Sequence, residues 1–434
     1  MVSKPSQAIV ESHQVKHFVT KDGLRVHLIK KPFYHQTVAS LATRFGALQR
    51  HFVNQKGELE TIPAGTAHFL EHKLFDKQAG DVLLDFAAFG ADANAFTSND
   101  VTCYYFSTNQ EVKKNLTILL KFVQEPFFTE KTVARERGII EEEIAGYEDD
   151  PFSALYQGLM ATAFPDTALA SDIAGTPESL KTISAELLYR VHEAFYQPSN
   201  LTLTIVGDQD FDELTKWVQE AQDKVATRSG MKQDQNVSLK LPTDRNRTAV
   251  QDFSVAQDKL ALLKRLPVLP ELNKVTQRLL GEIALDLVFG EQSDWYQKHY
   301  QQGDLGDDFD YELVVMEKDA YVVFFTSGKR VQEQGDLIAK RLTVLPDRLA
   351  DFKREWTLLQ RALIGENSQQ QDRLEQWALD EDLILCDLSL FDKMKLLAGF
   401  APDAVNKYVQ AAFKPGPLTQ FMLRSRDNGR KFNK

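Results

Sequence analysis

The sequence predicts an α+β protein of two homologous domains, each a mainly antiparallel sheet covered by helices. The chain has 434 residues, which exceeds the usual limit for a single hydrophobic core and favours two domains. Strand patterns and helical patterns alternate along both halves, with hairpin-like strand spacings that favour antiparallel or mixed sheets. In addition, a short phrase that closes the first half recurs near the end of the second half.

The recurring phrase reads YQPSNLT at 196–202 and FKPGPLT at 413–419. The two copies are 413 − 196 = 217 residues apart, which is half of 434. Each copy follows a helical pattern and leads into a strand pattern, and the other predicted elements follow the same order in both halves. One short match is weak by itself, but together with this shared order it indicates an internal duplication.

The elements of the first half are predicted from periodicity and from turn residues. We expect strands at 24–30, 37–45, 101–107 and 200–208, and helices at 64–76, 80–89, 109–124, 129–148, 152–163, 183–196 and 209–227. In the strand at 200–208 Leu201, Leu203 and Ile205 alternate with polar residues, as in a half-buried strand.

A domain boundary is predicted where the sequence becomes polar and rich in turn residues, at 229–246. This stretch would link an amino-terminal domain at 1–228 to a carboxy-terminal homologous domain at 247–434.

Composition excludes several classes of protein. The chain has 51 Lys and Arg residues against 62 Asp and Glu residues, and the net charge of −11 disfavours nucleic-acid binding. No apolar run approaches the ~18 residues of a membrane span. The amino end lacks the apolar core of a secretory signal, and the only cysteines are Cys103 and Cys386, which fits a reducing compartment. We therefore expect a cytoplasmic protein.

Two histidines and a glutamate lie inside an apolar helical pattern in AHFLEHKLF at 67–75. On a helix that advances about 100° per residue, His72 is about 40° and Glu71 about 60° from His68, so the three project from one side. Ordinary hydrogen-bonded histidines are the alternative, but burying these groups without a cation is costly. Two imidazoles one turn apart can bind one Zn²⁺, and the order H-x-x-E-H is an inverted zinc-peptidase signature.

A third ligand must come from elsewhere, and KTVARERGIIEEEIAGYE at 131–148 offers candidates. Glu136 and Glu143 fall within about 20° of each other on a helix, in one stripe with Ile140 and Ile144. A carboxylate in an apolar stripe needs a metal or another cation as a partner. The alternative is an acidic helix with a ragged amphipathic edge. Other faces of this helix would carry Glu141, Glu142 and Glu148.

GTAHFLEHKLF at 65–75, together with ERGIIEEE at 136–143, resembles the pitrilysin/insulinase family of inverted-motif zinc metallopeptidases. In that family H-x-x-E-H is followed, after a gap of comparable length, by E-x6-E. Here the gap is 143 − 72 = 71 positions. The phrases at 91–107, 171–180 and 195–208 fit the same family. The chain is most similar to bacterial half-size members, whose two homologous domains have a duplicated pitrilysin-like fold and which associate in pairs.

The resemblance implies a zinc-dependent endopeptidase that hydrolyses peptides or processing intermediates. His68, His72 and Glu143 would bind the Zn²⁺. Glu71 would be the general base that acts on a metal-activated water, and Glu136 would support the ligands from behind.

The same resemblance implies a substrate-binding strand. It would pair with the backbone of a peptide substrate and would include Asn94, Ala95, Phe96 and Thr97. The alternative for this stretch is an ordinary strand, turn and strand.

The second half carries no metal motif, because Leu285 and Phe289 stand 217 positions after His68 and His72. Members of the family that work as one chain bring an arginine and a tyrosine from the carboxy-terminal region to the zinc. The related stretch at 293–313 has no arginine, and its tyrosines are Tyr296, Tyr300 and Tyr311. We therefore expect a homologous partner subunit in a heterodimer, or a homodimer. The alternative function is a non-catalytic peptide-binding or assembly subunit of a pitrilysin-like complex.

Overall fold

A computed structural model describes residues 14–54, 56–147, 149–225, 241–317, 319–348 and 353–426. The strands are β1 (Val15–Val19), β2 (Arg25–Lys30), β3 (Thr37–Thr43), β4 (His51–Val53), β5 (Leu59–Thr61), β6 (Asp76–Lys77), β7 (Gly80–Asp81), β8 (Ala91–Thr97), β9 (Thr102–Thr108), β10 (Leu201–Gly207), β11 (Arg247–Phe253), β12 (Lys259–Leu266), β13 (Asp310–Val315), β14 (Ala320–Ser327) and β15 (Thr419–Ser425). The helices are α1 (Thr66–Phe75), α2 (Val82–Ala88), α3 (Val112–Gln124), α4 (Glu130–Tyr147), α5 (Pro151–Ala163), α6 (Pro177–Leu180), α7 (Ala185–Phe195), α8 (Phe211–Gln222), α9 (Lys274–Phe289), α10 (Asp294–Gln301), α11 (Val331–Arg348), α12 (Lys353–Gln370), α13 (Leu374–Ala378), α14 (Glu381–Cys386), α15 (Leu390–Gly399) and α16 (Pro402–Ala412).

One compact unit consists of Met1–Ile144, Asp172–Leu239 and Gln369–Phe391, and a six-stranded sheet lies at its centre. The strand order is β1-β2-β10-β3-β9-β8, and all neighbours are antiparallel except β2 and β10. Within the described part of the chain β8 pairs with β9 alone, so its outer edge is open.

Both faces of this sheet are covered. Apolar side chains of α1, α3, α7 and α8 form a core on one face. On the other face α13 and α14 contribute Trp377 and Leu383 to a second cluster. The strand at 200–208 was predicted to be half-buried, and this prediction was wrong. Because both faces of the sheet are covered, the strand is buried along its whole observed length, Thr202 and Thr204 included. The alternation reflects two different buried faces rather than one buried and one exposed face.

The other compact unit consists of Ala145–Ser171, Lys240–Ser368 and Asp392–Lys434. Its five-stranded sheet has the order β11-β15-β12-β14-β13. All neighbours are antiparallel except β11 and β15. The helix α5 packs on this sheet, and a Cβ atom at Gly158 would overlap the Phe421 ring.

The two sheets share one topology. The series β2-β10-β3-β9-β8 in the first corresponds to β11-β15-β12-β14-β13 in the second, and the parallel pair occupies the same place in both. The recurring phrases at 196–202 and 413–419 lead into the equivalent strands β10 and β15. The predicted α+β class and the duplication are therefore confirmed.

The predicted domain boundaries remain a prediction. Of the proposed linker, residues 229–240 lie outside the described residues, and 241–246 contain no helix or strand before β11 begins. Through the described ranges, every helix is too short or too polar to cross a membrane.

Candidate metal centre

The helix α1, which carries the H-x-x-E-H residues, begins at a turn that requires glycine. Gly65 precedes the helix with a φ of 82°, in the left-handed region. A Cβ atom at Gly65 would overlap the carbonyl oxygen of Ala174, and one at Gly175 would lie 2.7 Å from the carbonyl oxygen of Ala64. This close approach of two loops fixes the point where α1 begins, and hence the position of its histidines.

The side chains of His68, His72 and Glu143 converge. Nε2 of His68 lies 3.8 Å from Oε1 of Glu143, and Nε2 of His72 lies 3.6 Å from Oε2 of the same carboxylate. One nitrogen or oxygen from each residue lies within 4.8 Å of the others. Among the described residues, this is the one group of three or more His, Cys, Asp or Glu side chains that could hold a metal ion.

The two separations between a histidine and Glu143 are close to those between ligands of a tetrahedral ion. Two ligand atoms at the usual Zn²⁺ distances lie about 3.4 Å apart, and the two observed separations are 3.6 and 3.8 Å. Two imidazole nitrogens and one carboxylate oxygen are also a donor set that leaves a fourth position for water. The side chains are 13%, 24% and 30% exposed for His68, His72 and Glu143, so water can reach the site.

Glu136 lies behind His72. Its Oε1 atom lies 3.2 Å from Nδ1 of His72, on the opposite side of the ring from Nε2. A carboxylate at Nδ1 accepts the N–H there and leaves the lone pair on Nε2, which faces Glu143. Val133 and Ile140 of the same α4 stripe are fully buried, as the predicted stripe requires.

The glutamates predicted to lie on other faces of α4 are only partly described. Glu142 is exposed and Glu141 is half-buried, whereas Glu148 lies outside the described residues.

The two histidines have pKa values that differ in direction. Burial lowers the pKa of His68 to about 4, and the neighbouring His72 adds to this effect. Burial alone would also lower the pKa of His72, but the hydrogen bond to Glu136 and the surrounding carboxylates outweigh it and raise the pKa. His68 is therefore neutral near pH 7, as a metal ligand must be.

Glu71 contacts the edge strand β8 through Thr97. The hydroxyl of Thr97 donates a short hydrogen bond to Oε2 of Glu71. Burial raises the pKa of the Glu71 carboxyl, and the hydrogen bond and the nearby His72 offset this only in part. A carboxylate with a raised pKa takes up a proton more readily than a free one, which suits a general base.

The four predicted substrate-binding residues all lie on β8. Asn94 is exposed, and the other three, Ala95, Phe96 and Thr97, are half-buried. Asn94 accepts a hydrogen bond from the backbone N–H of Ala95 at 2.8 Å. The strand is therefore an accessible edge whose last residue, Thr97, contacts Glu71.

Comparisons with known proteins point to one family. A model described as "Insulinase (Peptidase family M16)" matches residues 60–177, and one described as "Peptidase M16 inactive domain" matches residues 182–309. The uncharacterized zinc protease YmfH of Bacillus subtilis is 36% identical over 300 residues, which is 68% of this chain and 70% of that protein. The chain belongs to the insulinase family, peptidase family M16. The resemblance drawn from the two motifs is thus confirmed.

Other known proteins match over different lengths. An uncharacterized zinc protease of Rickettsia bellii is 28% identical over 201 residues, 45% of this chain and 47% of that protein. The crystal structure of an M16-like peptidase from Alicyclobacillus acidocaldarius has a TM-score of 0.87 and 27% identity, covering 95% of this chain and 98% of the other. A protease structure from Helicobacter pylori has a TM-score of 0.80 at 19% identity, covering 94% and 99%, and shows the fold alone.

In the second copy of the insulinase fold, Leu285 and Phe289 stand 217 positions after His68 and His72. Leu285 and Phe289 are fully buried in α9. The hydroxyl of Tyr311 donates to Oδ1 of Asp286 at 2.6 Å, so this tyrosine is bound by a carboxylate of its own unit. Burial, reinforced by the Asp286 charge, raises the pKa of Tyr311 far above its ordinary value.

One buried residue of the insulinase motif helix is not among the predicted site residues. Lys73 follows His72 directly, and its side chain is 0% exposed. The sequence carries a signal for it, because Lys73 lies about 140° from His68, on the apolar side that also carries Phe69 and Leu70. A lysine in such a stripe requires a buried carboxylate or carbonyl partner.

Proposed function

We propose that the chain is a zinc-dependent endopeptidase that hydrolyses peptides or processing intermediates. The observation that carries the proposal is the convergence of His68, His72 and Glu143, with Glu71 on the same helix as the two histidines. Membership of the insulinase family and relatives named as zinc proteases support the same class of chemistry.

Each side chain of the centre has a role in this proposal. His68 and His72 would hold Zn²⁺ through Nε2, and Glu143 would hold it through its carboxylate. When bound, Zn²⁺ activates water and polarises the carbonyl group of the substrate. Glu71 would accept a proton from the attacking water and deliver it to the nitrogen of the leaving amine. Glu136 fixes the orientation of the His72 ring through Nδ1.

The open edge of β8 is the proposed substrate-binding surface. An extended peptide would add as a further strand beside Asn94, Ala95, Phe96 and Thr97, and its backbone would displace the contact between Asn94 and the Ala95 N–H. Strand addition recognises an extended main chain more than a particular sequence. Unfolded peptides or leader segments are therefore the expected substrates.

A homologous partner subunit, or a second copy of the chain, is part of the proposal. The stretch at 293–313 has no arginine, and the hydroxyls of Tyr300 and Tyr311 donate to Asp307 and Asp286. A partner would supply the groups that stabilise the substrate carbonyl. If the partner is a different subunit, its addition should raise the hydrolysis rate at a fixed amount of this chain, whereas equal rates with and without it would exclude the heterodimer.

A cytoplasmic location is also proposed. Both cysteines, Cys103 and Cys386, carry free thiols, as is usual in a reducing compartment. Fractionation of cells with an antibody against the chain tests this, and recovery outside the cytoplasm would contradict it.

The function is tested by metal analysis and a peptide assay on the same preparations. Wild type and Glu71→Gln should each bind about one zinc ion per chain, and only the wild type should hydrolyse unstructured peptides. Zinc bound without hydrolysis, even after candidate partners are added, would favour the alternative of a peptide-binding or assembly subunit. The match of residues 182–309 to an inactive-domain model makes that alternative worth testing.

A further inference from the structure

The helices α1 and α4 run antiparallel where the metal centre forms. Glu143 lies beside His68 and His72, and Glu136 lies beside His72. One turn further along α1, beyond its last residue, Asp76 contacts Arg135. Residues further along α1 thus contact residues further back along α4. The contact between Asp76 and Arg135 follows the same order.

Asp76 is bound from two sides at one oxygen. Nζ of Lys73 lies 2.7 Å from its Oδ2 atom, and a guanidinium nitrogen of Arg135 lies 2.7 Å from the same atom. The Lys73 side chain is 0% exposed and that of Asp76 is 21% exposed. Because an ammonium group in that environment needs a carboxylate, Lys73 holds Asp76 in one position.

The end of α1 is also fixed to a third helix. Nζ of Lys77 donates to the carbonyl oxygens of Phe122 and Glu125, each at 2.7 Å, at the carboxy-terminal end of α3. The N–H groups of Lys77 there satisfy carbonyl groups that the helix leaves free. Asp76 therefore sits between two lysines that are each held in place, and Arg135 of α4 reaches a carboxylate with little freedom to move.

We propose that Asp76 and Arg135 form a positioning pair for the metal centre. Their contact fixes the axial offset of α4 against α1, and with it the distance from Glu143 to the two imidazoles. The inference rests on the proposed function, because it assigns the pair to the same zinc site. Neither residue touches the ion or the substrate, so the pair acts through the ligands.

The sign of the expected effect separates positioning from simple charge. Arg135 is a cation near a site for a divalent cation, so removal of its charge alone would tighten zinc binding slightly. Loss of a positioning contact would weaken zinc binding instead. Lys131 is a matched control, because it is an exposed cation on the same helix α4.

The experiment measures zinc affinity of the full chain by competition with a chelator, using Zn²⁺ alone. Arg135→Ala should weaken binding by about tenfold, in the range seen when support for a metal ligand is lost. Lys131→Ala should leave the affinity unchanged or slightly tighter, and Arg135→Lys should restore part of the loss. The metal-free Arg135→Ala protein should melt close to the wild type, because Arg135 is 61% exposed and Asp76 keeps Lys73 as its partner.

A second variant breaks the same contact from the other side. Asp76→Asn alone would leave the ammonium of Lys73 without its partner, so it is combined with Lys73→Met. The double variant should weaken zinc binding about as much as Arg135→Ala.

The outcomes separate this inference from the proposed function. If the wild type hydrolyses peptides and Arg135→Ala binds zinc as tightly as Lys131→Ala, the positioning pair is overturned and the function stands. If Arg135→Ala weakens zinc binding but the wild type is inert towards peptides even after candidate partners are added, the pair stands and the function is overturned. A wild type that binds no zinc would overturn both.

Discussion

Glu136 contacts His72 through the ring nitrogen that faces away from the metal centre, with Oε1 3.2 Å from Nδ1. Glu136 as a whole is 8% exposed, and it lies in the apolar stripe of α4. The first glutamate of E-x6-E, Glu136, thus contacts His72 at Nδ1, and the second, Glu143, faces the Nε2 atoms of both histidines. A buried carboxylate that accepts a hydrogen bond from the Nδ1–H group fixes the ring orientation. It also makes Nε2 a stronger electron-pair donor to a metal ion.

We therefore predict that Glu136→Gln lowers zinc affinity by about tenfold. The substitution keeps the size of the side chain but removes the charge that polarises the imidazole. Calorimetric titration with Zn²⁺ measures the change. Glu142→Gln, which removes an exposed charge from the same helix, is the control and should bind zinc as the wild type does. Equal losses in both variants would mean that only the general negative charge matters.

Thr97→Val should lower kcat by about tenfold or more while zinc affinity stays the same, because general-base catalysis depends on the orientation of Glu71. Valine has the shape of threonine but cannot donate to Oε2 of Glu71. Thr97→Ser keeps the hydroxyl and should retain most of the activity. Steady-state kinetics on an unstructured peptide provide the measurement. A rise in KM with unchanged kcat would instead assign Thr97 to substrate binding alone.

Gly65→Ala should destabilise the protein more than Gly57→Ala, although both residues have nearly the same φ, 82° and 81°. Alanine in the left-handed region costs about 1 kcal/mol. At Gly57 no atom of the described residues lies within 4 Å of an added Cβ atom, whereas at Gly65 it would overlap the carbonyl oxygen of Ala174. We expect about 2 kcal/mol or more of additional loss at Gly65. Urea unfolding of both variants tests this, and similar midpoints would contradict the steric argument.

Helical periodicity was enough to pair residues within each helix, and the resemblance to the family joined the two pairs into one site. Residues four or seven apart share a helical face, so His68 with His72, and Glu136 with Glu143, could be paired without coordinates. What periodicity could not show is which helices pack together, because that depends on the whole sheet. The roles of these residues as ligands remain a proposal.

Contacts between distant segments account for most of what the sequence leaves open. Thr97 is 26 residues from Glu71 in sequence, and no local pattern links the two. The segment Gln369–Phe391 belongs to the unit that holds β10, although in sequence it comes directly after Lys240–Ser368 of the other unit. Its apolar side chains predict burial but do not indicate which sheet they cover. The strands β4 and β5 are three residues each, too short for an alternation to be recognised.

A second pair of histidines, outside the metal centre, predicts how stability depends on pH. His27 of β2 lies opposite His17 of β1, and their Nδ1 atoms are 2.5 Å apart. Burial, followed by the charge of His17, lowers the pKa of His27 to about 4, and Asp387 opposes this only in part. His27 is therefore neutral in the folded protein throughout the mildly acidic range.

An unfolded histidine has a pKa of about 6.5. Between that value and about 4 the unfolded chain binds a proton that the folded protein does not bind at His27, so stability falls as pH falls. From pH 7 to pH 5 this linkage amounts to about 2 kcal/mol. Between pH 7 and pH 5 the free energy of unfolding should fall by about 2 kcal/mol less in the metal-free His27→Gln protein than in the wild type. Urea unfolding at the two pH values measures this difference. His51→Gln, in the half-buried β4, controls for the removal of any one histidine. An equal loss in the wild type and His27→Gln would show that His27 becomes protonated without unfolding.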